Sequence, residues 1–203
     1  MSDAIIIHTL SQLNTAQIRT LQARTEDDLT QFTDKVVPII EDVKLRGDDA
    51  LRDYATKFDG ADMDGKAILA TSQEIKQAYD KLDGKLIEAL EYAADNIRRF
   101  HERQKPGAEW QMEIRPGIFV GERSYPIDKV ALYSPRGKGS FPSVTLMTAI
   151  PAIVAGVPEP IILTPPGHDG MIDPATLVAA DLAGVSRIAK AGGAQAVAAA
   201  AFG

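Results

Sequence analysis

The segment at residues 134–142 carries the groups best suited to binding an anion. Gly137, Lys138 and Gly139 follow one another in it, and glycine lets backbone amides approach a phosphate closely while lysine supplies positive charge. A dinucleotide fingerprint would need a third glycine where Pro142 stands, and a P-loop would need Ser or Thr, not Gly139, after the lysine. On spacing alone, a tight surface loop is therefore an equally good interpretation.

The elements on either side of this segment give it a position in a fold. Residues 130–133 form a short apolar run, and residues 144–155 form an apolar helical stretch that ends at Gly156. This order predicts strand, loop and helix. In an open parallel sheet, ligands bind where the strands end, and the following helix points its amide hydrogens at any anionic group there.

No other part of the sequence offers a complete reactive site. The three histidines, His8, His101 and His168, are isolated, and no pair has metal-ligand spacing. His101 stands at the charged end of a predicted helix, which is typical of a surface histidine. The absence of cysteine excludes disulfides and thiolate chemistry. The sequence thus predicts no catalytic residue and no metal ligand within this chain.

Charge and hydropathy exclude two classes of partner. The chain carries 22 basic and 28 acidic side chains, for a net charge of −6, and the acidic excess lies before residue 131. No basic stripe is present to neutralise nucleic-acid phosphates. No apolar run approaches the length of a membrane span, and the amino terminus lacks a secretory pattern. We expect a cytoplasmic protein that binds neither nucleic acid nor membrane.

The pattern along the chain predicts an α/β fold. Residues 1–129 are expected to form a mostly helical region that includes a capping box at Thr71 and Glu74 and a β-hairpin near 110–123. Residues 130–203 are expected to form a Rossmann-like nucleotide-binding domain of parallel βα units, in which Asp173 caps the second helix. The third unit is cut short, so this domain is predicted to be incomplete.

The amino-acid sequence of the second region resembles that of the histidinol dehydrogenase family. That family has a loop Tyr-x-Pro-Gly-Gly-x-x-x-Tyr-Pro-Ser followed by Leu-Met-Asn-Ala-Ile-Pro-Ala-x-Val-Ala-Gly-Val, and residues 133–157 follow this order. The family's later Leu-Ala-Gly-Val and Gly-Gly-Ala-Gln-Ala stand here at 182–185 and 192–196. Residues 46–60 and 96–104 also look like family segments. The match covers nearly the whole chain.

The resemblance implies a function and the residues that serve it. The family oxidises L-histidinol to L-histidine, in histidine biosynthesis, with two NAD molecules and a zinc ion, and its members are homodimers about twice as long. Its zinc ligands and acid/base pair lie in the second half, so this chain is identified as an amino-terminal half that is inactive alone. The nucleotide contacts that carry over are Tyr133 and Gln195. Without the resemblance, a core position for Tyr133 and a helix cap for Gln195 are the simpler interpretations.

Departures from the family pattern leave two alternatives open. Arg136 replaces the first of two family glycines, Phe141 replaces tyrosine and Thr148 replaces asparagine. An arginine here requires a negative φ, and its guanidinium could bind a carboxylate, phosphate or sulfonate. The chain could therefore come from a paralogous zinc/NAD dehydrogenase of another hydroxylated substrate. It could also be a non-catalytic binding or assembly module.

Overall fold

The computed structural model describes residues 8–22, 30–137 and 139–202, so Lys138 of the candidate anion loop lies outside the described residues. The chain divides into two compact units, residues 1–38 and 39–203. In the described part of the first unit, a 3-10 turn at Leu10–Gln12 precedes helix α1 (Thr15–Gln22), and neither element buries a residue. Helix α2 (Thr30–Arg46) continues through Pro38 without a break.

Four helical elements follow α2 in the second unit. They are α3 (Asp48–Tyr54), a π-helical turn (Ala55–Asp59), α4 (Ser72–Asp80) and α5 (Gly84–Gln104). The predicted capping box at the start of α4 is confirmed. The hydroxyl of Thr71 accepts a hydrogen bond from the amide of Glu74 at 3.2 Å, and the Glu74 carboxylate accepts one from the amide of Thr71 at 2.5 Å.

The predicted hairpin is also confirmed. Strands β1 (Glu109–Arg115) and β2 (Ile118–Arg123) pair in antiparallel register around Gly117, whose φ of 76° requires glycine. Every residue of both strands is exposed. The hairpin therefore precedes the parallel sheet in the chain without contributing to the buried core.

Three parallel strands and their connecting helices form the rest of the second unit. The sheet has the order β3-β4-β5, and the elements alternate along the chain as β3 (Lys129–Tyr133), α6 (Pro142–Ala155), β4 (Glu159–Thr164), α7 (Pro174–Ala183), β5 (Ile188–Lys190) and α8 (Gly193–Phe202). This confirms the mixed α/β fold and the predicted βα order. The domain boundary predicted at residue 130 stays a prediction.

The two faces of the sheet bury different helices. Ile162 and Ile188 pack with α4, α5, α6 and α7, whereas Leu163 and Ala189 pack with α3 and α8. Because successive strand residues point to opposite faces, α8 lies on the face opposite to α6 and α7. In open parallel sheets, a ligand crevice forms where successive helices change face. None of the described helices combines the length and the apolar character that crossing a bilayer requires.

Candidate functional site

Tyr133 is the last residue of β3 and reaches across the sheet to the start of α8. Its side chain is 39% exposed, and its hydroxyl oxygen accepts a hydrogen bond from the amide nitrogen of Gly193 at 3.1 Å. Gly193 is the first residue of α8. The phenol therefore lies at the carboxyl end of the sheet, in contact with the helix that changes face, and does not occupy a core position.

Gln195 lies two residues further along α8 and is 2% exposed. Its amide lies under Gly193, since a Cβ atom built on that glycine would stand 2.7 Å from the Gln195 Oε1 atom. The side chain makes no hydrogen bond to any residue in the described part of the chain. Because no protein group in the described part of the chain engages this amide, it is available to hydrogen-bond a ligand. Both predicted nucleotide contacts thus converge on Gly193.

The loop between β3 and α6 is anchored at its first residue. Ser134 is 1% exposed, its amide donates to the Leu163 carbonyl oxygen at 2.9 Å, and its hydroxyl lies 2.8 Å from that of Thr145. These contacts fix the loop to β4 and to α6. The described residues between Pro135 and Ser140 are exposed, so the anchor leaves the rest of the loop at the surface.

A second contact joins this loop to the neighbouring one. The Ser140 hydroxyl donates to Oδ2 of Asp173 at 2.5 Å. The same oxygen accepts from the amide of Thr176 at 3.0 Å, which is the predicted cap of α7. One carboxylate therefore caps a helix and holds the β3–α6 loop. The sequence predicted the cap but contained no signal for the contact with Ser140.

Arg136 places an exposed positive charge at the same edge of the sheet. Its guanidinium lies against Gly167, where an added Cβ atom would stand 2.6 Å from Nη1. The backbone of Arg136 has a negative φ, as predicted for an arginine at this position. It forms no ion pair with a carboxylate among the described residues. Nearby, burial raises the pKa of Asp59, while the charge of Arg136 opposes that shift. The Oδ2 atom of Asp59 is buried without a hydrogen-bond partner.

Lys190 ends β5 but is committed to a structural ion pair. Its Nζ atom lies 2.5 Å from Oε1 of Glu74, and the two side chains are 3% and 13% exposed. Burial raises the pKa of Glu74, but the hydrogen bonds from Lys190 and from the amide of Thr71 lower it by more, so the pKa lies below its ordinary value. The pair fixes the end of β5 beside the start of α4. Lys190, the last residue of β5, stands two residues before Gly192.

Two of the histidines make contacts with groups other than Tyr133 and Gln195. His101 packs edge-on against Phe100 near the end of α5, and Nδ1 of His168 lies 3.1 Å from the carbonyl oxygen of Gly60. Within residues 8–22, 30–137 and 139–202, no three His, Asp or Glu side chains group together as metal ligands would. The side chains that the structure does place at this edge are hydrogen-bonding groups, Tyr133 and Gln195, and the cationic Arg136.

Comparison with known proteins gives this crevice a family context. The family profile described as histidinol dehydrogenase matches residues 22–203. A histidinol dehydrogenase homolog of Colwellia psychrerythraea is 52% identical over 203 residues, covering 100% of this chain and 46% of that protein. A histidinol dehydrogenase of Methanosarcina barkeri is 40% identical over 199 residues, covering 98% of this chain and 45% of that protein.

A solved structure supports the same assignment. The crystal structure of histidinol dehydrogenase from Elizabethkingia anophelis superposes with a TM-score of 0.80 at 36% identity, over 89% of this chain and 40% of that one. The chain thus spans less than half the length of these relatives. Because the family profile over residues 22–203 and the solved structure agree, the chain belongs to the histidinol dehydrogenase family.

Proposed function

We propose that this chain is the nucleotide-binding amino-terminal half of an NAD-dependent dehydrogenase that oxidises L-histidinol to L-histidine. Family membership over residues 22–203 supports the reaction class. The observation that carries the assignment of the nucleotide site is the convergence of Tyr133 and Gln195 on Gly193 at the carboxyl end of the sheet. Because oxidation of the alcohol to the acid through the aldehyde removes four electrons, two NAD molecules would each accept one hydride.

The groups at this edge suit a nucleotide. The Tyr133 hydroxyl and the Gln195 amide can each donate and accept, which matches ribose hydroxyls and the polar edge of adenine. The amino terminus of α8, where Gly193 lies, favours a negative group. The amide of Gln195, which no described protein group engages, gains hydrogen bonds when a nucleotide binds.

The zinc ion and the acid/base chemistry of the proposed reaction belong elsewhere in the full-length protein. The described residues do not fit zinc, because none of their His, Asp or Glu side chains form a ligand group. We therefore assign zinc binding and proton transfer to the polypeptide that this chain lacks relative to its relatives. We further propose that the full-length enzyme is a cytoplasmic homodimer and that the present chain alone has no activity.

Substitution of Tyr133 in the full-length enzyme tests the nucleotide site. Tyr133→Ala removes one hydrogen-bonding group and its ring contact, and should raise the KM for NAD by roughly tenfold. The matched control is Tyr92→Ala, because Tyr92 is 73% exposed on α5 and makes no described hydrogen bond. An unchanged KM for NAD in the Tyr133 variant would show that the phenol does not contact the nucleotide.

A second candidate is a paralogous dehydrogenase acting on another hydroxylated, anionic substrate. The relatives that are 49% to 52% identical carry the name histidinol dehydrogenase homolog, whereas those named histidinol dehydrogenase are 39% to 42% identical. The unpaired guanidinium of Arg136 also favours an anionic ligand. Complementation of a histidine auxotroph by the full-length gene separates the candidates, since growth without histidine requires histidinol oxidation.

A further inference from the structure

One side-chain hydrogen bond joins the described residues of the β3–α6 loop to the neighbouring β4–α7 loop. Ser134 anchors its start and helix α6 begins at Pro142. Among the described residues in between, the bond from Ser140 to Asp173 is the only hydrogen bond formed by a side chain. Open space lies beside both glycines of the loop: an added Cβ atom would meet only Phe141, at 3.7 Å, at Gly137 and nothing within 4 Å at Gly139.

The β4–α7 loop, which contains Asp173, is in part buried, whereas the described residues of the β3–α6 loop after Ser134 lie at the surface. Pro165, Pro166 and Gly167 are buried, and the backbone closes on itself through a bond from the Gly167 amide to the Met171 carbonyl oxygen at 2.7 Å. Asp173 is itself held by the amide of Thr176 at 3.0 Å. The carboxylate is thus held in place on its own loop by the α7 cap, within hydrogen-bond distance of Ser140.

We propose that Asp173 and Ser140 are positioning residues for the nucleotide, which act by holding the β3–α6 loop against the β4–α7 loop. This inference rests on the proposed NAD site at Tyr133 and Gln195. Without the contact, the loop samples more conformations, and binding must then restore its order at a cost in affinity. Neither residue needs to touch the nucleotide, because the effect passes through the position of the loop.

Four variants of the full-length enzyme test the inference, with NAD affinity measured by isothermal titration calorimetry. Ser140→Ala and Asp173→Ser should each weaken NAD binding roughly threefold to tenfold. Serine still caps α7 but is too short to reach Ser140. The two changes together should be no worse than either alone, since both remove the same contact. Ser140→Thr keeps the hydroxyl and should retain the NAD affinity of the parent enzyme. The control is Ser186→Ala, an exposed serine before β5 without a described side-chain hydrogen bond.

The results separate this inference from the proposed function. If Tyr133→Ala weakens NAD binding while Ser140→Ala stays within twofold of the parent, the loop contact plays no part in binding and the inference is wrong. If neither variant changes NAD affinity, the nucleotide site itself is misplaced. Additive losses from Ser140→Ala and Asp173→Ser, or failure of Ser140→Thr to retain affinity, would also overturn the inference, because they would mean that the residues act independently.

Discussion

Replacing Glu74 by Gln should destabilise the fold by removing one charge from the buried ion pair beside the end of β5. The side chains of Lys190 and Glu74 are 3% and 13% exposed, and their charged atoms lie 2.5 Å apart. Gln preserves the shape and can still complete the capping box with Thr71. The substitution therefore isolates the charge. Leaving one buried partner without its counter-charge costs about 3 kcal/mol.

Urea unfolding monitored by circular dichroism measures this loss. The control is Glu41→Gln, because the ion pair of Glu41 with Lys44 is 66% and 40% exposed, and such pairs contribute less than about 1 kcal/mol. Combining Glu74→Gln with Lys190→Met should recover most of the stability, since no unpaired charge then stays buried. A loss below about 1 kcal/mol for the single variant would refute the argument from burial.

The same pair predicts a dependence on pH. The pKa of Glu74 lies below its ordinary value of 4.5, so the folded state favours the ionised carboxylate. Its contribution is fully present above the unfolded pKa and is lost as the pH falls through the lowered pKa. The difference in stability between the parent and Glu74→Gln should therefore be largest near neutral pH and shrink in acid. A difference that is constant from pH 7 to about pH 3 would contradict the charge-based explanation.

Three further predictions concern activity, assembly and the nucleotide crevice. The purified chain, given L-histidinol, NAD and zinc, should produce no NADH above the blank, and measurable turnover would show that the chemistry lies within residues 1–203. The apolar residues Trp110, Met112 and Val120 are each more than 40% exposed and lie on one face of the hairpin. Because such a surface favours self-association, light scattering at micromolar concentration should report a dimer or a larger species. A monodisperse monomer would contradict this expectation. Gly193→Ala introduces a Cβ atom at a φ of 61° and against the Gln195 amide, so it should weaken NAD binding by the full-length enzyme. The control is Gly107→Ala, because nothing lies within 4 Å of a Cβ atom added at Gly107. Equal effects of the two substitutions would show that the crevice tolerates the change.

Local chemistry made much of the fold predictable. The capping pair Thr71 and Glu74 identified the start of α4, and the Asp173-Pro174 pair identified the start of α7. Gly156, with a φ of 90°, marked the end of α6. Each of these signals depends on residues within a few positions of each other. The order of strands and helices after residue 129 followed from them and from the apolar runs between them.

The contacts that define the site join residues far apart in the chain. Tyr133 meets Gly193 across 60 positions, Ser140 meets Asp173 across 33, and Glu74 meets Lys190 across 116. No local pattern indicates such pairs, because they depend on the placement of α8 and of the loops around the sheet. The sequence could therefore name Tyr133 and Gln195 through the family resemblance, but could not indicate that both meet at Gly193.

Titration of the isotopically labelled chain with NAD, followed by amide NMR spectra, tests the central claim most directly. We expect weak binding, since the chain spans less than half the length of its relatives and we propose that the remainder supplies further polar contacts. Losing two or three neutral hydrogen bonds weakens affinity by roughly ten- to a thousand-fold. At millimolar NAD, the shifted amides should be those of Tyr133, Gly137, Gly139, Gly193 and Gln195, and Tyr133→Ala should reduce the shifts. Shifts that gather instead among the helices before Pro106 would contradict the assignment of the nucleotide crevice.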